Sequence, residues 1–176
     1  MFFDNSLFLS SAQAVTATAN STNIYDVTGA GSGNAPALTF GTSTTFGDDI
    51  GIGDGIAIPQ LIVTIPTAFT TSNGGTLQVS LQSAPDNGSN APGTYTTDYS
   101  SAVFAASALG QGVLLQVPVP ARPSGAALPR FYRVVYTVAT GSFSAGTVNA
   151  AIVLNPPSIV GAYNMAGQYP ANYTAA

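Results

Sequence analysis

The segment Thr76-Leu77-Gln78-Val79-Ser80-Leu81-Gln82-Ser83 alternates apolar and polar residues along its whole length. Because successive side chains of a β-strand point to opposite faces of a sheet, this pattern predicts a strand with one buried and one exposed face. The segment Thr147–Leu154 begins with the same alternation and then becomes wholly apolar, which indicates a second strand. A third strand is predicted over Phe131–Val138, with one parity of its residues buried: Tyr132, Val134, Tyr136 and Val138.

The remaining strand candidates are shorter or less regular. Ile56–Ile65 and Val113–Val117 are mostly apolar, which is typical of strands that are covered on both faces. Weaker candidates are Ala14–Ala19, Asn23–Val27 and Ala37–Phe40.

Turn signals separate these segments. In Ser72–Gly75, the Asn-Gly pair tolerates positive φ at both central positions of a tight turn, so we expect a hairpin there. Glycines between Val138 and Thr147 indicate a similar reversal, and Ala84–Pro92 is typical of a surface loop. One short helix is expected in Ser101–Leu109. Several strands with turns between them predict an all-β protein, either a sandwich or a barrel.

The composition excludes several kinds of chemistry. The chain of 176 residues contains seven Asp and three Arg, and it has no Cys, His, Lys, Glu or Trp. Without Cys or His it has no zinc or thiolate site, and its serines have no imidazole or amine base. Three arginines with a net charge of −4 supply too few phosphate contacts for nucleic-acid binding. We therefore predict no catalytic residues, no metal and no cofactor.

One acidic cluster, Asp48-Asp49 with Asp54, has two alternative interpretations. Closely spaced carboxylates suit calcium, but the cluster lacks the spacing of an EF-hand and its final bidentate Glu. Glycines and isoleucines between the aspartates fit equally well a loop that leads into a strand, and this structural interpretation is favoured. A glycosidase with paired carboxylates remains a weaker alternative, to be recognised by two Asp side chains in a deep cleft.

The three arginines fall in a short span. Each has two alternative roles: a bidentate contact to a carboxylate of a partner, or an ion pair with an Asp of the same chain. We favour the intramolecular pair for Arg133, which lies inside a predicted strand, and the contact to a partner for Arg122 and Arg130.

Both ends of the chain differ from the middle. We expect an N-terminal arm and first strand in residues 1–30, a β-sandwich domain in 31–155 and a C-terminal arm in 156–176. The C-terminal segment holds Tyr163, Tyr169 and Tyr173 among small and polar residues. It is either a loosely docked terminus or an arm that lies on a partner, where tyrosine offers a large contact area at low entropic cost.

Four stretches, in this order, resemble a family of capsid cement (decoration) proteins of tailed bacteriophages. They are the opening Asp4–Thr16, then Asp49–Asp54, Thr67–Phe69 with Leu77–Leu81, and Pro129–Tyr136. The resemblance extends to about Leu154 and leaves out the C-terminal segment.

This resemblance implies a jelly-roll-like sandwich with extended arms, on the outer surface of a virion assembled in the host cytoplasm. The implied partners are the major capsid protein and further copies of the chain, as a trimer more readily than a dimer, with no nucleic acid and no membrane. A start without a basic segment agrees with this, and we expect no signal peptide. The candidate contact residues are Phe2, Phe3, Leu7, Phe8, Arg122, Arg130, Tyr163, Tyr169 and Tyr173.

The main prediction is therefore a virion protein without enzymatic activity that cements neighbouring capsid subunits. The alternative is a carbohydrate- or receptor-binding β-module of a virion fibre. Exposed aromatic side chains over a shallow groove, or an occupied calcium site at the aspartate cluster, would favour that alternative.

Overall fold

The computed structural model describes residues 7–27, 37–40, 43–46, 59–120 and 129–153. Within these ranges the chain forms β-strands and one short 3₁₀ helix, Ala106–Ala108. The strands are β1 (Phe8–Ala14), β2 (Ala19–Asn20), β3 (Tyr25–Asp26), β4 (Ala37–Phe40), β5 (Ser43–Phe46), β6 (Gln60–Thr70), β7 (Thr76–Ala84), β8 (Thr96–Ser100), β9 (Phe104–Ala105), β10 (Gly112–Pro118), β11 (Phe131–Ala139) and β12 (Ala145–Val153). Among the described residues, no helix has the length and apolarity needed to span a bilayer.

Two antiparallel sheets form a sandwich. The first sheet has the strand order β1-β12-β6-β10, and the second has the order β2-β11-β7-β8, in which β3 also pairs with β11 and β9 with β7. Strands β4 and β5 form a separate two-stranded sheet. The predicted all-β antiparallel sandwich is confirmed.

The core lies between the two sheets and follows the predicted periodicity. Leu77, Val79 and Leu81 of β7 are fully buried, as the alternation in that strand requires. In β11 the predicted inward residues are buried except Val138, which is half-buried near the end of the strand. Phe131 is also fully buried, although its parity places it on the outer face.

The two long apolar segments differ in their surroundings. In β6, three consecutive residues (Leu61, Ile62 and Val63) are buried, which confirms a strand covered on both faces. In contrast, β10 lies at the end of the first sheet, and Leu114, Leu115 and Val117 are each half-buried. Full coverage of this segment was a wrong prediction, because an apolar sequence does not specify whether its strand is central or at an edge.

The turn at Ser72–Gly75 is tight, but it does not form a hairpin. Gly74 has φ +76°, as an Asn-Gly turn requires. However, β6 before the turn belongs to the first sheet and β7 after it belongs to the second. The reversal between β11 and β12 crosses between the sheets in the same way. The hairpin prediction was wrong because a turn residue fixes local φ and not the sheet that the next strand joins.

The β6–β7 and β11–β12 connections, here called the two crossings because each passes from one sheet to the other, are hydrogen-bonded to each other. Thr71 Oγ1 donates to Ser142 O at 2.8 Å, and the amide of Ser144 donates to Thr70 O at 2.8 Å. Phe143 follows in the second crossing, and its ring meets that of Phe69 edge to face with centroids 4.8 Å apart. This end of the sandwich is therefore held together by both hydrogen bonds and aromatic packing.

The expected helix in Ser101–Leu109 is reduced to a single 3₁₀ turn. Phe104–Ala105 instead pair with the start of β7, and the turn that follows has no side-chain cap. A segment this short gains too little from helix propagation to overcome the cost of nucleation, so pairing with a strand prevails.

Residues 8–26, which the sequence assigned to an arm and first strand, contribute three strands to the sandwich. β1 pairs with β12, and β2 and β3 pair with β11. The register of β1 shifts near Ala12, where φ is +45° and the amide donates to Asn149 Oδ1 at 2.6 Å. Asn23 N donates to Leu9 O at 2.9 Å, so the outer edge of β1 is also bonded. A bulged and bonded edge is protected against pairing with another chain.

Candidate functional site

Most of the predicted contact residues lie outside the described residues. These are Phe2, Phe3, Arg122, Tyr163, Tyr169 and Tyr173. The aspartate cluster of the calcium and glycosidase interpretations, Asp48, Asp49 and Asp54, also lies outside them. Within the described ranges, no group of three or more His, Cys, Asp or Glu side chains is placed to hold a metal ion.

Two predicted contact residues lie next to each other at the start of β1, on opposite sides of the first sheet. Leu7 is buried in the core with Leu9. Phe8 is half-buried and has the opposite parity, so its side chain is on the outer face. Leu7 therefore packs in the core of the sandwich, whereas Phe8 lies on the outer face of the first sheet.

Arg130 forms ion pairs within its own chain, the role that was given as the alternative to a contact with a partner. Its Nε donates to Asp26 Oδ1 at 2.9 Å and its Nη2 to Asp26 Oδ2 at 3.1 Å. Its Nη1 donates to Asp86 Oδ2 and, at 2.9 Å, to Asn90 Oδ1. The Asp26 side chain has no exposed surface and that of Arg130 is only 12% exposed. The guanidinium also lies 4.9 Å from the ring centroid of Phe131.

These contacts fix the loop Ala84–Pro92 against the end of the second sheet. Asp86 Oδ1 accepts hydrogen bonds from the amides of Gly88 (2.7 Å) and Asn90 (3.2 Å). Desolvation acts to raise the pKa of Asp86, but the Gly88 amide and the charge of Arg130 outweigh it and hold that pKa below its usual value. The loop is thus an ordered part of the surface, as predicted, with exposed residues at its tip.

Arg133 lies on the outer face of the second sheet, where it contacts Gln82 and Tyr95. Its Nε and Nη2 both donate to Gln82 Oε1, at 2.9 and 2.8 Å. Its guanidinium carbon lies 3.7 Å from the ring centroid of Tyr95. Desolvation raises the pKa of Tyr95, although the nearby charge of Arg133 acts in the opposite direction. The ion pair favoured for Arg133 stays a prediction.

The outer face of the second sheet, here called the polar face, is an array of amides and hydroxyls. Gln82 Nε2 donates to Thr97 Oγ1 at 3.2 Å, and the hydroxyls of Ser80 and Ser100 share a hydrogen bond of 2.9 Å. The residues on this face of β7, β8 and β11 include Gln78, Ser80, Gln82, Thr97, Ser100, Arg133, Val135 and Thr137.

A shallow groove lies at the end of the sandwich where the crossings meet. It has a volume of about 500 Å³ and is open to solvent. Its lining consists of Ala17, Thr18 and Val138–Ser142. Thr18 Oγ1 donates to Val138 O and accepts from Val138 N, so these groups are already bonded to each other. Within this lining there is no charged side chain, which suits the groove to contact and not to proton transfer.

The described surfaces thus provide hydrogen bonds, small apolar contacts and one stacked cation. The match to a known family has the same extent as the sandwich: the Bbp16 family model covers residues 9–152, from β1 into β12. The chain belongs to the Bbp16 family. Comparison with curated proteins gave no match. The matched part of this chain includes both sheets and both arginines, and the C-terminal segment lies beyond the residues that the family model covers.

Sequence reasoning identified the arginines but not their partners. Asp26 lies in a weak strand candidate and is 104 residues from Arg130 along the chain. A chain with three Arg and seven Asp offers many possible pairs, and local patterns do not choose among them. One signal was present: Asp26 falls within the apolar half of Asn23–Val27, where a carboxylate needs a cation or donors to be stable.

Proposed function

We propose that the chain is a structural protein of a phage virion, which decorates the outer capsid surface and cements neighbouring major capsid subunits. Three observations support this proposal. The family name suggests a phage-related protein, four stretches of the sequence resemble capsid cement proteins, and the described surfaces offer contact chemistry. The observation that carries the proposal is the polar face, an array of amides and hydroxyls that also includes the guanidinium of Arg133.

The uncharged hydrogen-bonding side chains of the polar face suit binding to another protein surface. Protein interfaces average about one hydrogen bond per 100–200 Å², and charged residues are depleted at their centres. Side chains such as Gln82, Thr97 and Ser100 are already held by neighbours, so little entropy is lost when they are covered. The polar face therefore serves as the surface that lies on the capsid.

The strand order supports the more detailed expectation of a jelly-roll-like sandwich. In an eight-stranded jelly roll the chain alternates between two four-stranded sheets and forms two Greek keys. Here β1, β6, β10 and β12 belong to the first sheet, and the strands between them belong to the second, except β4 and β5, which form their own two-stranded sheet. Such a sandwich presents a broad outer sheet face, as a protein that lies flat on a shell requires.

Cementing follows from contact area and symmetry. One interface of standard size, about 800 Å² per partner, can be weak when it acts alone. A trimer that engages three equivalent capsid sites gains avidity without any new type of contact. The trimer and its site on the capsid are part of this proposal, and sedimentation equilibrium of the purified chain tests the trimer.

The decisive experiment mixes the purified protein with undecorated capsid shells and follows binding by sedimentation and imaging. The Thr97→Glu variant places a carboxylate on the polar face and is expected to weaken shell binding by about tenfold or more, because an interfacial charge without a partner is costly. Thr94→Glu is the matched control, since Thr94 is exposed in the connection before β8. Absence of binding by the unmodified protein, or an equal effect of both variants, would reject the proposed surface.

The arms are tested separately in the same assay. Deletion of residues 1–6 or of residues 157–176 leaves the described strands intact. If the ends act as arms that lie on the shell, each deletion yields a folded oligomer with reduced decoration. Normal decoration by both truncated proteins would remove the arms from the proposal and leave the polar face as its basis.

A further inference from the structure

The chain contains two Asn-Gly dipeptides, Asn73-Gly74 and Asn87-Gly88, and all four residues are exposed. In such a pair the amide nitrogen of the glycine can attack the side-chain carbonyl carbon of the asparagine, because glycine has no Cβ to obstruct the approach. The dipeptide and its exposure are the same at both places. The hydrogen bonds around each glycine amide therefore decide which asparagine reacts in the folded protein.

The glycine amide of the second dipeptide is held by a carboxylate. Gly88 N donates to Asp86 Oδ1 at 2.7 Å, and Asp86 is itself paired with Arg130. Loss of the proton from Gly88 N would break this charge-assisted bond and place a negative nitrogen beside a negative carboxylate, so both effects oppose the attack. Asn87 N also donates to Ala91 O at 2.9 Å, which fixes the backbone before the glycine. Asn87 is therefore protected while the loop is folded.

The first dipeptide lacks this protection. Within the described part of the chain, Gly74 N has no hydrogen-bond acceptor. The carbonyl that it would attack is bonded to a donor, since Thr71 Oγ1 donates to Asn73 Oδ1 at 3.0 Å. A donor at an oxygen that gains negative charge during the attack lowers the barrier. We propose that Asn73 is a site of spontaneous conversion to aspartate and isoaspartate, whereas Asp86 keeps Asn87 intact.

The conversion consumes only water. Gly74 N loses its proton to solvent hydroxide and forms a bond with Asn73 Cγ, and the bond from Cγ to Nδ2 then breaks. The nitrogen leaves as ammonia after it takes a proton from solvent, and a cyclic imide remains. Water opens this imide at one of its two carbonyl carbons. Opening at the main-chain carbonyl gives isoaspartate, with an additional carbon in the backbone, and opening at the side-chain carbonyl gives aspartate; both products carry a new negative charge.

Asn73 lies where the two crossings meet, so its conversion affects the contact between them. A Cβ atom added to Gly141 in the β11–β12 crossing would overlap both Asn73 Oδ1 and Asn73 O, which shows how closely the two backbones pack. Thr71 Oγ1, which contacts Asn73, also donates to Ser142 O at 2.8 Å. Isoaspartate lengthens the backbone at this point and displaces these contacts, and the joined end of the sandwich becomes weaker. This inference is independent of the capsid proposal.

Peptide mass spectrometry of the full chain, incubated at mildly alkaline pH, tests the proposal. In the folded protein Asn73 is expected to convert about tenfold or more faster than Asn87, because the attack at Asn87 must first break a hydrogen bond to a charged group. In urea the two rates should lie within about threefold of each other, because unfolding removes that bond. Equal rates in the folded protein, faster conversion of Asn87, or a tenfold difference that persists in urea would each overturn the proposal.

The Asp86→Ala variant tests the protective role of the carboxylate. It should raise the rate at Asn87 by about tenfold and leave the rate at Asn73 unchanged, provided that circular dichroism shows a folded protein. If this variant does not fold, Asp86→Asn, which retains an acceptor without the charge, must still raise the rate at Asn87. An unchanged rate at Asn87 in the folded variant would refute the protection.

Thermal unfolding of fresh and aged protein tests the structural consequence. Ageing should lower the unfolding midpoint of the natural protein by about 2–8 °C as Asn73 is converted. Asn73→Ser has no side-chain amide to react and should keep its own initial midpoint on ageing. The matched control, Asn87→Ser, should lose as much as the natural protein. The proposed weakening is wrong if the natural protein keeps its midpoint after conversion, or if Asn73→Ser loses as much.

Discussion

Arg130 and Asp26 form a bidentate ion pair, with Nε to Oδ1 at 2.9 Å and Nη2 to Oδ2 at 3.1 Å, across 104 residues of sequence. The carboxylate has no exposed surface. The same guanidinium binds Asp86, so one side chain connects β3, the start of β11 and the loop after β7. This arginine therefore acts as a structural element of the sandwich, in contrast to Arg133 on the polar face.

We predict that Arg130→Gln strongly destabilises the protein. Removal of the cation leaves Asp26 as a buried charge without its ion-pair partner, at a cost of about 3–5 kcal/mol in the free energy of unfolding. For a chain of this size that corresponds to a decrease of roughly 6–20 °C in the midpoint of thermal unfolding. Arg133→Gln is the control and should cost less, about 1 kcal/mol, because Arg133 binds the amide oxygen of Gln82 and stacks on Tyr95, whereas Arg130 pairs with a fully buried carboxylate. Equal losses in the two variants would contradict the assigned roles.

A second prediction concerns the effect of the buried Tyr136 on protein stability at alkaline pH. Its side chain is fully buried, and its hydroxyl shares a hydrogen bond of 2.8 Å with Ser10 Oγ. Burial raises the pKa of Tyr136 well above its ordinary value of 10.0, and the hydrogen bond opposes this only in part. Above about pH 10 the unfolded chain releases the phenol proton while the folded protein retains it, so the free energy of unfolding decreases as the pH rises.

The Tyr136→Phe variant tests this linkage. It should lose about 1 kcal/mol at neutral pH through the broken hydrogen bond, and its stability should decrease less steeply above pH 10 than that of the natural protein. Urea unfolding between pH 8 and 11 measures both effects. Parallel stability curves for Tyr136→Phe and the natural protein would refute the linkage.

Gly146 is predicted to be required at the start of β12. Its φ is +142°, and a Cβ atom at this position would overlap the ring of Phe69. Gly146→Ala should therefore cost about 1–3 kcal/mol from overpacking, in addition to backbone strain. Gly74→Ala is the matched control: φ is +76°, but no atom lies within 4 Å of the added Cβ. Gly74→Ala should lower the free energy of unfolding only through backbone strain, by about 1–2 kcal/mol. Thermal unfolding of both variants decides whether steric overlap adds to the conformational cost.

Shell binding is predicted to depend little on salt. Charged residues are only 6% of the chain, so there are few charges to screen. Between about 0.05 and 0.5 M salt the Debye length falls severalfold, and the affinity should change by less than about threefold. Sedimentation of protein with shells at several salt concentrations measures this. A steep loss of binding would indicate an ionic interface instead.

The long strands could be predicted because their information is local. The alternation in Thr76–Ser83 and the parity of Tyr132, Val134 and Tyr136 depend on residues within one strand, and the core confirms them. The Asn73-Gly74 turn was also recognised, but its neighbours join different sheets, which depends on contacts made far along the chain. Short strands such as Tyr25–Asp26 carry too few residues to show any period.

The candidate site was less predictable for the same reason. The sequence indicated that Arg130 and Arg133 matter, but their partners, Asp26 and Gln82, are chosen by the pairing of β11 with β3 and β7. Leu7 was expected at a surface because it lies near the N-terminus, yet its parity with Leu9 places it in the core. Position in the sequence proved a weaker guide than periodicity.

The interlocked crossings between the sheets have a mechanical consequence. Thr71 and Ser142 tie the two connections together, and the bond from Ser144 to Thr70 closes the same end. A force that slides one sheet over the other must break these bonds together, because they act in parallel. When the two sheets are pulled past each other, we therefore expect the contacts elsewhere in the sandwich to separate before those at this end.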